Sequence, residues 1–228
     1  MTDIFDEVGE DLRRDRLTKL WKSYSGVVIG VAVLIVAGTA AWRGWEYYTE
    51  RQAAAAGDAF RAALASAKDE DHGAVAEALT AFASDAPKDY RALALMRAAA
   101  ERLAAGETDN ALAAFETISK DAAVPQEIRD VAALRAAMVA VDRDDLAAIK
   151  ARVAPYDNDV SPWRFSAREL VALAAVKAEA WDEARAALAK IDNDPQTPQD
   201  VSSRAGILSG IVRAAAGEPA KPATPAGS

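Results

Sequence analysis

The sequence has no cysteine, a single histidine, nine prolines and twelve glycines in 228 residues, and only 7% of it is aromatic. Without cysteine there is no disulfide scaffold, thiolate zinc site or thiol nucleophile, and His72 alone cannot build a histidine-centred metal site. Sparse glycine and proline exclude a collagen-like chain. A positive surplus is missing too. With 27 basic and 35 acidic side chains the net charge is −8, so the clustered cations that meet a phosphate backbone are absent and no nucleic-acid partner is expected. Neither a glycine-rich phosphate loop nor a G-x-S-x-G elbow occurs, so no enzyme and no cofactor are expected. What fills the chain is alanine, 57 residues or a quarter of the total. Alanine is the best helix former and a poor strand former, and no segment alternates with period two for long enough to make a strand, so the fold is expected to be all-α.

One run stands apart. From Ser23 to Trp42 there are twenty residues without a charge, closed by Lys22 and Arg43. About twenty helical residues cross a ~30 Å hydrocarbon layer. Trp21 and Tyr24 lie at one end and Trp42, Trp45, Tyr47 and Tyr48 at the other, where amphipathic rings favour the interface. Residues 23–42 are therefore expected to be a transmembrane helix in contact with the lipid bilayer. Arg13, Arg14, Arg16, Lys19 and Lys22 precede it, whereas residues 43–57 hold only Arg43 and Arg51. That bias places residues 1–22 in the cytoplasm and 43–215 outside. A cleaved signal peptide is the competing reading, opposed by the six acids ahead of the span and by its length. Within residues 1–22, Ile4, Phe5, Val8 and Leu12 form an amphipathic stripe suited to a solvated entry helix or to docking on a protein. The tail 216–228 is Pro/Ala-rich and expected to be disordered.

Beyond Tyr48 the spacing predicts helices over about 46–68, 73–85, 89–105, 108–119, 126–141, 143–154, 162–179, 181–190 and 198–215. Leu95–Pro125 and Arg168–Pro198 align: each has a small-residue helix, a tight turn, a second helix and a break ending in proline. Ala111 and Phe115 in one correspond to Ala184 and Leu188 in the other, as the residues that let paired helices approach and then fill the groove between them. A degenerate middle copy, Val131–Pro155, places Leu146 or Ala147 opposite Ala111, and an earlier one near Gly73–Pro87 places Ala76 there. Such a period is close to the tetratricopeptide length, and single hairpins must stack to bury their apolar faces. The expected architecture is one transmembrane helix followed by a tetratricopeptide-like α-solenoid, with a generic helical bundle as the plainer alternative. Proline is expected to end the second helix of each pair.

The opening Asp3-Ile4-Phe5-Asp6-Glu7-Val8, the Arg13-Arg14 pair and Leu20-Trp21-Lys22, followed by one membrane helix and eroded repeats, resemble the YfgM-like family of bacterial inner-membrane proteins. The resemblance spans roughly residues 2–215. It implies a non-catalytic ancillary subunit of the Sec protein-conducting channel, with repeats in the periplasm that meet Sec channel subunits, a periplasmic membrane-anchored foldase or chaperone, and emerging secreted client proteins. An envelope-biogenesis or cell-division adaptor, or a cleaved soluble periplasmic module, would use the same fold with other partners.

Few residues carry specific expectations. Gly26 and Gly30 form a G-x-x-x-G in the span, with Gly38 on a nearby face, a spacing that admits a second membrane helix. Gly206 and Gly210 repeat it in the last helix, where a close crossing within the array is expected. Trp163, after Pro162 at a hairpin entrance, is the candidate partner surface, and Trp181 is expected to pack in the core. Phe60, Leu64, Leu79, Phe82, Leu93, Leu112, Phe115, Ile118, Leu134, Leu146, Ile149, Leu170, Leu188 and Ile191 form the expected core. Asp69-Glu70-Asp71-His72 reads as a solvated loop rather than a metal site. Asp157-Asn158-Asp159 and Asp192-Asn193-Asp194 read as turns, since neither continues as a calcium loop.

Overall fold

The computed structural model describes residues 3–66 and 71–217, with side chains described from residue 21 onward. The described residues form nine α-helices and no strand: α1 (Asp3–Leu64), α2 (His72–Asp85), α3 (Lys88–Ala104), α4 (Thr108–Lys120), α5 (Gln126–Ala140), α6 (Leu146–Val153), α7 (Arg164–Lys177), α8 (Trp181–Asp192) and α9 (Gln199–Ala216). The expected helix over 46–68 is not a separate element. Nothing between Trp42 and Arg51 breaks the backbone, so it forms the last part of α1. Asp69 and Glu70, residues 218–228 of the tail, and the side chains of the Ile4–Leu12 stripe lie outside the described residues.

The chain divides into two compact units, Met1–Ala56 and Gly57–Ser228. In the first, α1 from Trp21 is long and apolar enough to cross a membrane, and none of its apolar window is buried. Leu34 is 73% exposed and Val36 69%. A core helix of a water-soluble domain would bury these side chains.

In the second unit helices pack on their neighbours in sequence, as stacked hairpins do. The repeat register is set by the backbone at the start of each second helix. The N–H of Val75, Ala111, Ile149 and Ala184 donates to the carbonyl of the residue four earlier, Asp71, Glu107, Asp145 or Ala180, which caps that helix. Four residues further on stand Leu79, Phe115, Val153 and Leu188, each at most 3% exposed. The middle copy is therefore in a different register from the expected one. Ile149, not Leu146 or Ala147, occupies the place of Ala111, because the connection before α6 is longer and Asp145 caps the helix with its side chain on the Ala148 N–H at 2.7 Å. The earlier copy places Val75 there, one residue before Ala76.

The prolines do more than the work expected of them. Pro87 and Pro155 directly follow the C-caps of α2 and α6, Ala86 and Ala154, as expected, whereas Pro125 and Pro198 stand beyond the ends of α4 and α8. Pro87, Pro125 and Pro198 are each the N-cap of the next first helix, where a missing N–H costs nothing. The core is four clusters laid along the array. The first joins Ala63 of α1 to α2 and α3, and the last joins α7, α8 and α9. Phe60 leans on Phe82 and Tyr90 at 5.9 and 6.1 Å between ring centres. Most inward positions are alanine, so a few large side chains fill the gaps: Phe115, Leu79, Ile149 and Ile191 are all essentially sealed, each contributing about 2 kcal/mol by burial. Leu93, expected inside, is 50% exposed, because Ala92 and Ala94 occupy the inward positions of α3 and leave it on the outer side.

Ion pairs link hairpin to hairpin. Arg143 pairs with Asp109, Lys150 with Glu183 at 2.6 Å, Arg152 with Glu116 at 2.6 Å, Lys190 with Asp157 at 2.8 Å, and Arg204 with Glu169. The partners are 33 to 36 residues apart, one repeat length. All but Arg152–Glu116, whose side chains are both 31% exposed, have a well-exposed partner and contribute about 0–1 kcal/mol each, so they register the stack more than they hold it.

Candidate functional site

First helices of successive hairpins lie side by side, and α5, α7 and α9 enclose a groove of about 450 Å³. Its floor is apolar: Val131, Leu134 and Met138 from α5, Trp163 at the N-cap of α7, and Leu173 further along α7. Helical spacing of 131, 134 and 138 puts those three on one face of α5. Met138 is 55% exposed even though Ala137 and Val139 beside it are buried. An exposed thioether over an apolar floor adapts to ligands of varied shape. Arg135 and the Arg204–Glu169 pair, whose nearest atoms are 2.5 Å apart, form the polar rim.

Trp163 is half-buried and packs on the cluster around Leu134, Ala137 and Leu170. Its position is fixed from below. The carbonyl of Trp163 accepts the Ala167 N–H, and the Ser161 hydroxyl accepts the Trp163 N–H at 3.2 Å. Trp181 is the first residue of α8, half-buried against the C-terminal cluster.

On the other side of α7 from the groove, toward the turns that follow α6 and α8, lies a charged network that sequence reasoning missed. Arg164 and Arg168, one turn apart on α7, are 7% and 4% exposed. Arg164 bonds Asp194 at 2.8 Å, Gln196 at 2.7 Å and the Ser161 carbonyl at 3.0 Å. Arg168 reaches Asp157 at 3.2 Å, Asp159 at 2.6 Å, Asp194 at 3.4 Å and the Lys190 carbonyl at 3.2 Å. The two acid-bearing turns are thus clamped onto α7 from either side. Burial raises the Asp157 carboxyl, but hydrogen bonds from Lys190 and Arg168 outweigh it and hold it below the usual aspartate value. Asp194 is held low chiefly by Arg164 and by the Gln196 N–H. The signal was in the sequence: arginines at i and i+4 flanked by two Asp-Asn-Asp turns.

A second cavity, of about 700 Å³, lies between α6 and α8 over Val171. Alanines 151, 154, 186 and 187 line it, and the Lys150–Glu183 and Lys190–Asp157 pairs cross it. His72 is not a free loop residue. It begins α2, and its Nδ1 lies 2.6 Å from Glu101 Oε2 on α3. Among the described residues no three His, Cys, Asp or Glu side chains gather as a metal site requires.

Ala111, Phe115, Ala184 and Leu188 are all buried between hairpins, at 0, 2, 0 and 3% exposure. Gly26, Gly30 and Gly38 lie along α1 with open space where a side chain would stand. Gly206 and Gly210 do not mark a crossing inside the array: a Cβ at either would meet nothing within 4 Å, because α9 packs inward through Val201, Ala205, Leu208 and Val212.

A family model for a tetratricopeptide repeat-like domain matches residues 18–191. The match begins ahead of the apolar run, ends inside α8 and leaves α9 outside. No curated protein and no solved structure matches the chain.

Proposed function

From the premise that the chain belongs to the tetratricopeptide repeat-like domain family, we propose that it is a non-catalytic, membrane-anchored adaptor whose α5–α7–α9 groove holds apolar stretches of other polypeptides. Repeat domains of this kind serve protein–protein interaction, and the observation that carries the reading here is the groove itself, with Trp163 and Met138 presented over an apolar floor. Trp is enriched among the residues that dominate binding energy, and a half-buried indole is already ordered before a ligand arrives.

The finer reading is an ancillary subunit of the Sec channel. Residues 1–22 stand in the cytoplasm, 23–42 cross the inner membrane, 43–215 work in the periplasm and 216–228 form a tail. Gly26, Gly30 and Gly38 would let a helix of the channel approach the anchor. The groove would receive emerging secreted chains and pass them to a membrane-anchored foldase. The N-terminal sequence, the charge bias and the aromatic collars support this assignment.

Two measurements test it. In-cell cross-linking with an affinity tag after Ser228, followed by mass spectrometry, should recover Sec channel subunits and a periplasmic foldase. Recovery of division or outer-membrane assembly proteins without the channel sinks the translocation reading and leaves the adaptor. Trp163→Ala should weaken capture of an unfolded secretory protein by more than about tenfold, and unchanged capture removes the groove from the proposal.

A further inference from the structure

The outer face of α9 is apolar and unpartnered among the described residues. Ile207 is 66% and Ile211 46% exposed, and beside them Gly206 and Gly210 stand in open space. Asp200, Ser203, Gly206, Ile207, Gly210 and Arg213 fall within one broad helical face, opposite the buried Val201, Ala205, Leu208 and Val212. Between Asp200 and Arg213 the one charge bordering that face is Arg204, and it is already paired with Glu169 and Asp200. A repeat helix face that meets only water is ordinarily polar, and a stripe of glycine with isoleucine knobs departs from that.

We propose that α9 is a self-association surface, on which two copies of this chain pack antiparallel across a two-fold axis between residues 206 and 207. The register is its own argument. With the axis there, Ile207 of each copy meets the notch at Gly206 of the other, Ser203 lies opposite Gly210, and Asp200 lies at the same end of the contact as Arg213. One operator matches bulky to absent side chains and opposite charges together, as a two-fold contact between identical surfaces requires. Asp200 bonds Arg204 of its own helix at 3.0 Å yet its side chain stays 70% exposed, so the carboxylate can still be reached. The buried face of α9 is turned the other way, so the contact uses none of the groove's floor. The inference does not depend on which membrane complex the anchor joins.

The test uses the full chain in detergent, by sedimentation equilibrium. The unsubstituted chain should be a dimer that dissociates on dilution, and Ile207→Glu should weaken the dimer by more than about tenfold. Gly206→Leu should weaken it equally while leaving the thermal midpoint unchanged or higher, since the site has room within the fold. Because there is no native cysteine, Ile207→Cys in membranes should give a cross-linked species of twice the mass, and Val160→Cys, 92% exposed in the loop before α7, should not. A monomer at every concentration, or a dimer untouched by Ile207→Glu, overturns the proposal. So does a dimer lost only when Gly26 and Gly30 are replaced by leucine, which gives the association to the anchor. Cross-linking of Ile207→Cys to a different protein in place of a second copy overturns it as well.

Discussion

In α3 the buried charge is an anion, Glu101, one turn before the bend into α4; in α7 the buried charges are cations, Arg164 and Arg168, at the start of the helix that bends into α8. The two bends themselves are the same object. Ala105 and Ala178 donate four residues back, Gly106 and Glu179 three back, Glu107 and Ala180 five back, and Thr108 and Trp181 two back, to the carbonyls of Gly106 and Glu179. The backbone repeats, then, while the charges differ because their tasks differ. Glu101 joins two adjacent helices, through His72 of α2 and Arg97 of its own helix. The α7 arginines join two connections that would otherwise be loose, residues 157–159 on one side and 194–196 on the other. Hairpin stacking needs the repeated bend; the groove at α7 additionally needs the clamp that positions the loop carrying Trp163.

Removing the clamp should have the largest effect. Arg168→Met keeps the apolar stem but leaves Asp157 with Lys190 alone, Asp194 with Arg164 alone and the Lys190 carbonyl without its donor, and should cost about 2–3 kcal/mol. Urea unfolding of the full chain in detergent, followed by circular dichroism, reads it. A loss below about 1 kcal/mol would make the network equivalent to an exposed ion pair. Glu101→Gln should cost less, about 1–2 kcal/mol, since the amide retains part of the hydrogen bonding and both partners reach water.

Acid should separate the two regions in the same order. Burial opposes ionisation of Glu101, but His72 and Arg97 outweigh it, so its carboxyl lies below its ordinary 4.5. Asp157 lies below its ordinary 3.8 for the corresponding reason. Carboxyls lowered by folding contribute stability that is fully present above the unfolded values and lost as pH falls through the folded ones. Stability should therefore be level above roughly pH 5 and decline below it. Arg168→Met should flatten the lower part of that decline and Glu101→Gln the upper part. Identical acid profiles in both variants would show that neither network is linked to folding.

The sequence was legible where one residue type decides the outcome. Alanine-rich runs gave the helices, and the uncharged run before Arg43 gave the apolar one. Ala111 and Ala184 could be aligned because both begin a second helix after a tight bend. The middle copy could not, since its longer connection shifts the register by two or three residues and only the Asp145 cap reveals it. Leu93 was misplaced because hydrophobicity was weighed over size: at the closest helix contacts alanine goes in and leucine out. Gly206 and Gly210 were read as an internal crossing because glycine spacing shows that an approach is allowed, without showing from which side. Arg164 and Arg168 went unseen because arginine is ordinarily assigned to the surface, although acids on both flanks were there to pair with it.

The smallest predicted effect tests whether the two bends are truly one. The position before each cap adopts the left-handed conformation, with φ of 80° at Gly106 and 55° at Glu179. Glycine takes that region freely, whereas a side chain bears a cost of about 1 kcal/mol. Glu179→Gly should therefore relieve strain in the second bend, offset in part by the added freedom of the unfolded chain, for a net gain of about 0.5 kcal/mol. Gly106→Ala should move the other way by about 1 kcal/mol. Thermal unfolding would show this as a rise of one or two degrees against a fall of about 2–4 °C. A fall in both variants would mean that Glu179 makes a compensating contact, and that the bends, alike in hydrogen bonds, differ in what holds them.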